Sequence, residues 1–420
     1  MNTTNEEIIQ ETKSFSASTA EILCVIISFF AAYWYCDFIG FDPFHDWEFC
    51  AVVLILAGIT EVMNRGKRAP KESYVWLGCY LLCAVSAFFA LGRVWDSDQK
   101  MIFVHIFFVW WVLCRSGALL ENQSGHLLPV DAFNGFVRIP FGNFFLRIRM
   151  LACLFKGRKK ENGKPQKRWM ILAAAFCLAL FVLATSLLMR ADDGFASLLD
   201  GFIEIFKIDF DEFDVLIFIL SLPVGAWLFG LMGGSVRFSR TEADRQRDGV
   251  YAILEKIRRV PAVFWIAVVL LFSALYIAFF ILQGSYLFGA FTRTLPEGFI
   301  VSEYARQGFF ELCKVMAVNF SVLWLVTRMA DDSAKNNKAF LAACTVLLAE
   351  SMLFAVIAFS KLALYISCFG FTPLRLQSTW LVCVLFAGCV FWMVTLYTGK
   401  AVFRKWMLFG ALTLTALTVV

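Results

Sequence analysis

The residues best placed to do chemistry are ionisable and amide groups inside apolar runs. Glu350 lies in FLAACTVLLAESMLFAVIAFSKLALYI, and Asn319 lies in the preceding run, KVMAVNFSVLWL. Glu350 falls roughly eleven residues into its helix, which at 1.5 Å per residue is near mid-bilayer. Asn319 falls at the same depth. A carboxylate there costs roughly 2.5–3.5 kcal/mol on insertion scales unless it faces protein or water. Desolvation favours the neutral acid, so a neutral Glu350 hydrogen-bonded to Asn319 is one expectation. Two readings stand side by side: a proton or cation site, and a satisfied bond that fastens two helices.

A second group sits further out. Tyr286–Leu312 reads YLFGAFTRTLPEGFIVSEYARQGFFEL and carries Arg293, Glu297, Glu303, Arg306 and Glu311 between two oily runs. Glu303 and Arg306 are spaced for one helical face. Pro296 and Glu297 suit a first helical turn, where a carboxylate meets the positive dipole end. Lys361 and Arg375 fall at the same level, with Tyr286 and Tyr304 as hydrogen-bonding partners. This cluster reads either as ion pairs bracing helix ends or as an entrance gathering a charged solute.

The elements that must position these groups are membrane helices. The chain has 420 residues, 60% hydrophobic and only 17% charged, with 47 Phe and 13 Trp. Soluble domains average about 45–50% apolar and 25% charged. With a mean hydropathy of +0.72, the expected solvent is the bilayer. Apolar runs recur at Ala20–Gly40, Glu48–Val62, Tyr74–Leu91, Met101–Leu120, Trp169–Met189, Asp214–Gly233, Pro261–Gln283, Phe309–Arg328, Ala339–Ile366, Ser378–Tyr397 and Phe403–Val420. The fold class is therefore all-α, a polytopic bundle of about eleven spans near the ~20-residue spanning length. No cleavable signal peptide is expected before the first of them.

Charge in the loops gives the orientation. Arg65, Lys67, Arg68 and Lys71 fill one loop; Lys156, Arg158, Lys159 and Lys160 another; Arg237, Arg240, Arg245 and Arg247 a third. Acidic loops, such as Asp37–Glu48 and Asp192–Asp214, alternate with them. The positive-inside rule puts the N-terminus in the cytoplasm and, with about eleven spans, the C-terminus outside. Residues 1–19 form a polar tail, 20–126 a first group of four spans, and 169–420 a second group of about seven. Between them Leu127–Phe155, broken at Pro140 and Gly142, reads as an amphipathic interfacial anchor. It leads into a basic run that can meet anionic lipid headgroups. A second interfacial helix is expected at Phe195–Phe213, and Pro223 with Gly225 permits a kink or close approach.

Catalytic templates are missing. There is no HExxH, GxSxG, Walker loop or strand-borne GxGxxG. The 13 cysteines and 3 histidines show no ligand spacing, so neither a metal nor a cofactor is expected. Cys36 and Cys50 flank one loop and read as two isolated thiols rather than a bridge. The basic runs are explained by topology, which argues against a nucleic-acid partner.

The runs YLFGAF, LPEGF and EYARQGFFEL, with the later FGFTPLRLQSTWL, resemble a family of bacterial multi-pass membrane proteins catalogued as a domain of unknown function. Glu297, Gly298, Glu303, Tyr304, Arg306, Gly308, Phe309, Glu311, Leu312, Asn319 and Arg375 match its pattern, over about the last third of the chain. The resemblance implies a bacterial plasma membrane and no particular reaction. The main expectation is a transporter or channel-like protein for an ion or small solute. In it Glu350 and Asn319 sit at mid-depth, with Glu303, Arg306, Glu311, Lys361 and Arg375 at the outer vestibule. The alternatives are a sensor or assembly component with a membrane or cytoplasmic protein partner, and a lipid-modifying enzyme.

Overall fold

The computed structural model describes residues 17–41, 47–155, 212–257, 260–284, 289, 291, 301–330, 334, 337–399 and 402–420. These are helical almost throughout, with one isolated β-bridge between Val260 and Ala330. In chain order the helices are α1 (Thr19–Phe41), α2 (Trp47–Met63), α3 (Lys71–Phe88), α4 (Ser97–Ser116), α5 (Leu128–Phe133), α6 (Ile139–Gly142), α7 (Leu146–Phe155), α8 (Glu212–Arg237), α9 (Arg240–Ile257), α10 (Ala262–Leu282), α11 (Val301–Met329), α12 (Lys338–Phe369), α13 (Pro373–Thr398) and α14 (Phe403–Leu417).

Local chemistry fixes many of the ends. Asp96 and Gln99 cap α4 reciprocally, at 2.8 and 3.2 Å, and Gly117 closes it with φ 72°. The Asn337 side chain accepts the Ala339 N–H at 2.9 Å to start α12. Six helical segments among the described residues are long and apolar enough to cross a membrane: Thr19–Asp37, Asp214–Arg237, Ala262–Leu282, Gly308–Met329, Lys338–Phe369 and Pro373–Thr398. Shorter α2, together with α3, α4 and α14, occupies four more of the expected runs as helix. The expected span Trp169–Met189 and the expected helix Phe195–Phe213 lie outside the described residues, apart from the first turn of α8.

The chain packs as two compact units that interleave in sequence. One holds residues 1–65 and 139–234, the other 66–138 and 235–420. One crossing falls inside the segment 127–168.

In the first unit α1 packs on α2 and α7. Arg147 of α7 differs from the interfacial residue expected there. It is 3% exposed, and its Nη2 donates to the Ser28 carbonyl at 2.7 Å. Its guanidinium lies over the Phe29 ring at 4.5 Å and occupies the place a side chain at Gly225 would take. That glycine serves close approach, one of the two roles expected of it. Burial pushes the Arg147 guanidinium down to about 10. Helix runs on through Pro140, by way of a π-helical turn at Asn134–Arg138, and breaks only after Gly142. The expected break at Pro140 does not occur: the proline opens an α-helical turn directly after the π-helical one, where the backbone ladder is already rearranged. The Cys36 and Cys50 thiols are both free.

In the second unit α10, α11, α12 and α13 share a core that includes Val269, Met316, Leu323, Leu347 and Ile357. Helix α12, at 32 residues, is about 48 Å long, well beyond the ~30 Å hydrocarbon thickness. It is the axis on which the candidate site is built. The basic helix α9 uses much of its charge locally. Arg240 donates to the carbonyls of Leu119 and Leu120, both at 3.1 Å, while Glu242 meets Arg138 at 2.8 Å.

Candidate functional site

Three helices of the second unit bring five polar side chains together inside apolar packing. From α11, Asn319 is 0% exposed. Its oxygen accepts the Tyr276 hydroxyl of α10 at 2.6 Å, and its amide donates to Ser351 of α12 at 2.8 Å. The Ser351 hydroxyl in turn donates to the Leu347 carbonyl at 2.8 Å. Asn319 is thus satisfied on both sides, and it fastens α10, α11 and α12 at one level.

Glu350 sits beside this triad but outside it. The carboxyl is 7% exposed, and neither oxygen has a hydrogen-bond partner among the described residues. The expected bond from Glu350 to Asn319 does not form. Asn319 and Glu350 lie at one level of their helices, but Ser351 takes the amide instead, because consecutive residues on a helix point about 100° apart. The buried Ser273 hydroxyl of α10 faces Glu350 without closing a hydrogen bond, and Tyr276 is near enough to feel its charge.

Lys361 lies eleven residues further along α12, about three turns or 16 Å away, and so on the same face. It is 0% exposed. Its ammonium fills the space left by the missing side chain of Gly308, with the Lys361 Cδ 3.1 Å from where that glycine's Cβ would stand. Glu311, exposed on α11, is close enough to act on it electrostatically. The structure therefore brings Lys361 and the Gly308–Glu311 part of the motif to one level, as expected. Between Glu350 and Lys361 sits Phe354, 1% exposed. Its ring packs on Phe280 at 4.8 Å and edge-on to Tyr276 at 5.1 Å. In this state an aromatic cluster separates the two ionisable groups.

Arg375 has a structural place. Its guanidinium donates to the carbonyls of Phe369, at 2.9 Å, and Gly370, and stacks over Tyr365 at 4.1 Å. These contacts close the end of α12, where Gly370 holds φ 77°. Glu303, Tyr304 and Arg306 fall on the first turns of α11, and nothing is described of their side chains. Tyr286 and Glu297 lie outside the described residues. His105, half-buried, meets the Met101 carbonyl at 2.6 Å.

A second buried acid escaped the sequence reading. Glu72, whose side chain is 2% exposed, accepts Trp76 Nε1 at 2.9 Å, the Ser124 N–H at 3.3 Å and the Ser124 hydroxyl. Arg404 Nε approaches its other oxygen at 2.8 Å, as an ion pair rather than a well-aligned hydrogen bond. The four-residue spacing of Glu72 and Trp76 was the available signal. Nearby Asp131, 1% exposed, accepts the Leu120 N–H at 3.0 Å on one oxygen only. Burial pushes its carboxyl up to about 7, with Glu121 adding to the shift and the Leu120 N–H and Arg240 opposing it.

No curated protein and no solved structure matches the chain. The sequence signature described as Domain of unknown function (DUF4153) matches residues 49–420, so the chain belongs to that family of domains of unknown function.

Proposed function

We propose that the protein moves a proton or small cation across a membrane, with Glu350 as the group that takes it up and releases it. The observation that supports this reading is the isolation of the Glu350 carboxyl. A buried acid held for stability alone would be hydrogen-bonded, as Asn319 is within the same cluster. Leaving both oxygens without donors costs free energy that a binding role explains. Protonation removes the charge penalty, and a change of packing at Phe354 would open the way toward Lys361 and Glu311. On this reading the chain spans the bacterial plasma membrane about eleven times, N-terminus inside, with Asn319 holding the three helices in register. Anionic headgroups would meet its basic cytoplasmic segments.

The sealed packing of Phe354 favours a second reading, a non-transporting sensor or assembly component with a protein partner. Proton flux into proteoliposomes separates the two. Flux in the intact protein that is lost in Glu350→Gln, with folding retained, supports transport. No flux across a panel of ions and pH gradients rejects it in favour of the second reading.

A further inference from the structure

A large cavity in the second unit takes no part in the Glu350 cluster. It measures about 1030 Å³ and is bounded by α11, α12, α13, α14, the start of α5 and the loop before it. Its size is at the upper end of the roughly 300–1,000 Å³ of ordinary ligand pockets. The bounding helices α11, α12 and α13 are all long and apolar enough to span. Ser321 and Leu325 on its rim are exposed. A rim set within a span would meet hydrocarbon rather than water.

One wall is a run of aromatic rings in mutual contact. Phe320 stacks on Trp392 at 5.9 Å and 17°, and meets Trp406 at 5.9 Å. Trp406 meets Phe403 at 5.4 Å, and Phe403 meets His126 at 5.8 Å. The missing side chain of Gly388 makes this possible, since a Cβ there would stand 3.1 Å from both Phe320 and Trp406. The indole N–H of Trp406 is satisfied by the Val384 carbonyl at 2.9 Å, so the wall presents apolar faces.

The described lining carries one fixed charge. Arg328, half-buried in the last turn of α11, is the only Lys, Arg, Asp or Glu among the described lining residues. The ion pairs among the described residues leave it out. The nearby acid Glu121 does not line the cavity. It is taken up by the Tyr251 hydroxyl at 2.7 Å and the His126 N–H at 3.1 Å. Burial and then the Arg328 charge push His126 below its ordinary value, against Glu121. An apolar, aromatic-lined space between span-length helices, with one lining guanidinium that the described ion pairs leave out, complements an amphiphile bearing one negative headgroup.

We propose that this cavity binds one anionic phospholipid, its phosphate on Arg328 and an acyl chain along the Phe320–Trp392–Trp406 wall. The test uses the full chain, delipidated in detergent, and native mass spectrometry with phosphatidylglycerol or phosphatidylcholine added back. The intact protein should retain one phosphatidylglycerol in preference to phosphatidylcholine. Arg328→Gln should weaken phosphatidylglycerol retention about tenfold, the loss of a charge-assisted contact, and leave phosphatidylcholine unchanged. Ser321→Trp, which adds bulk at an exposed rim position, should displace the lipid whatever its headgroup. Equal retention of both lipids in all three proteins would mean annular lipid only, and would overturn the proposal. So would Ser321→Trp changing oligomeric state with lipid retention intact, since the cavity would then receive protein.

Discussion

Glu72 and Glu350 are buried glutamates of the same unit, and their surroundings are opposite. Around Glu72, an indole N–H, a backbone N–H and a hydroxyl converge on the carboxylate, and Arg404 pairs with it at 2.8 Å. Around Glu350, the Ser273 hydroxyl stands near, yet neither oxygen closes a hydrogen bond among the described residues. Asp131 falls between them, with one oxygen bonded and one bare. The first arrangement surrounds a carboxyl with donors and ties the start of α3 to Ser124 and to α14. The second offers a charged carboxylate far less. A buried acid with partners belongs to the scaffold, and one without them is available for a proton or cation.

Breaking the well-paired end of this comparison should have the largest effect. Glu72→Ala strands the Trp76 N–H and the Ser124 hydroxyl and removes the ion pair of Arg404, which keeps Gln123 at 2.9 Å. It should lower unfolding free energy by about 3 kcal/mol, read as a fall in Tm in detergent. Little or no change would place the weight of that network elsewhere.

Asp131 gives an intermediate effect with a definite sign. Its folded value, about 7, lies above the ordinary 3.8, so between those values the folded state holds more proton than the unfolded one. Its contribution is present below pH ~4 and is lost as pH rises toward ~7, at up to about 1.4 kcal/mol per pH unit. Asp131→Asn should flatten that slope and raise stability at pH 8. An unchanged slope would contradict the burial argument.

Asn319→Ala should cost about 1–2 kcal/mol, because it leaves the Tyr276 and Ser351 hydroxyls without their shared partner. The smallest effect is expected at the unpaired end. Glu350→Gln should shift stability by less than about 0.5 kcal/mol, since no hydrogen bond is lost. A loss as large as that of Glu72→Ala would erase the contrast.

Much of the scaffold was legible in advance. Ten of the expected apolar runs coincide with helices among the described residues, because a chain this apolar must satisfy its backbone internally. Glu350 was legible for the same reason, as a carboxylate interrupting such a run. Its rotation about the helix axis was not, and that rotation gives the Asn319 amide to Ser351. Glu72 was hidden because it follows Pro70 at a helix start, where an acid is unremarkable. Its partners Ser124 and Arg404 lie in distant parts of the chain. Arg147 looked interfacial by composition; its burial depends on Gly225, whose missing side chain no local pattern announces.

The most direct test is infrared spectroscopy of the protein in lipid, comparing the intact chain with Glu350→Gln and Glu72→Gln. The account predicts a neutral carboxyl C=O band that disappears in Glu350→Gln and survives in Glu72→Gln. A spectrum in which Glu350→Gln removes no such band would show Glu350 to be ionised, and the proton-binding role would fall with it.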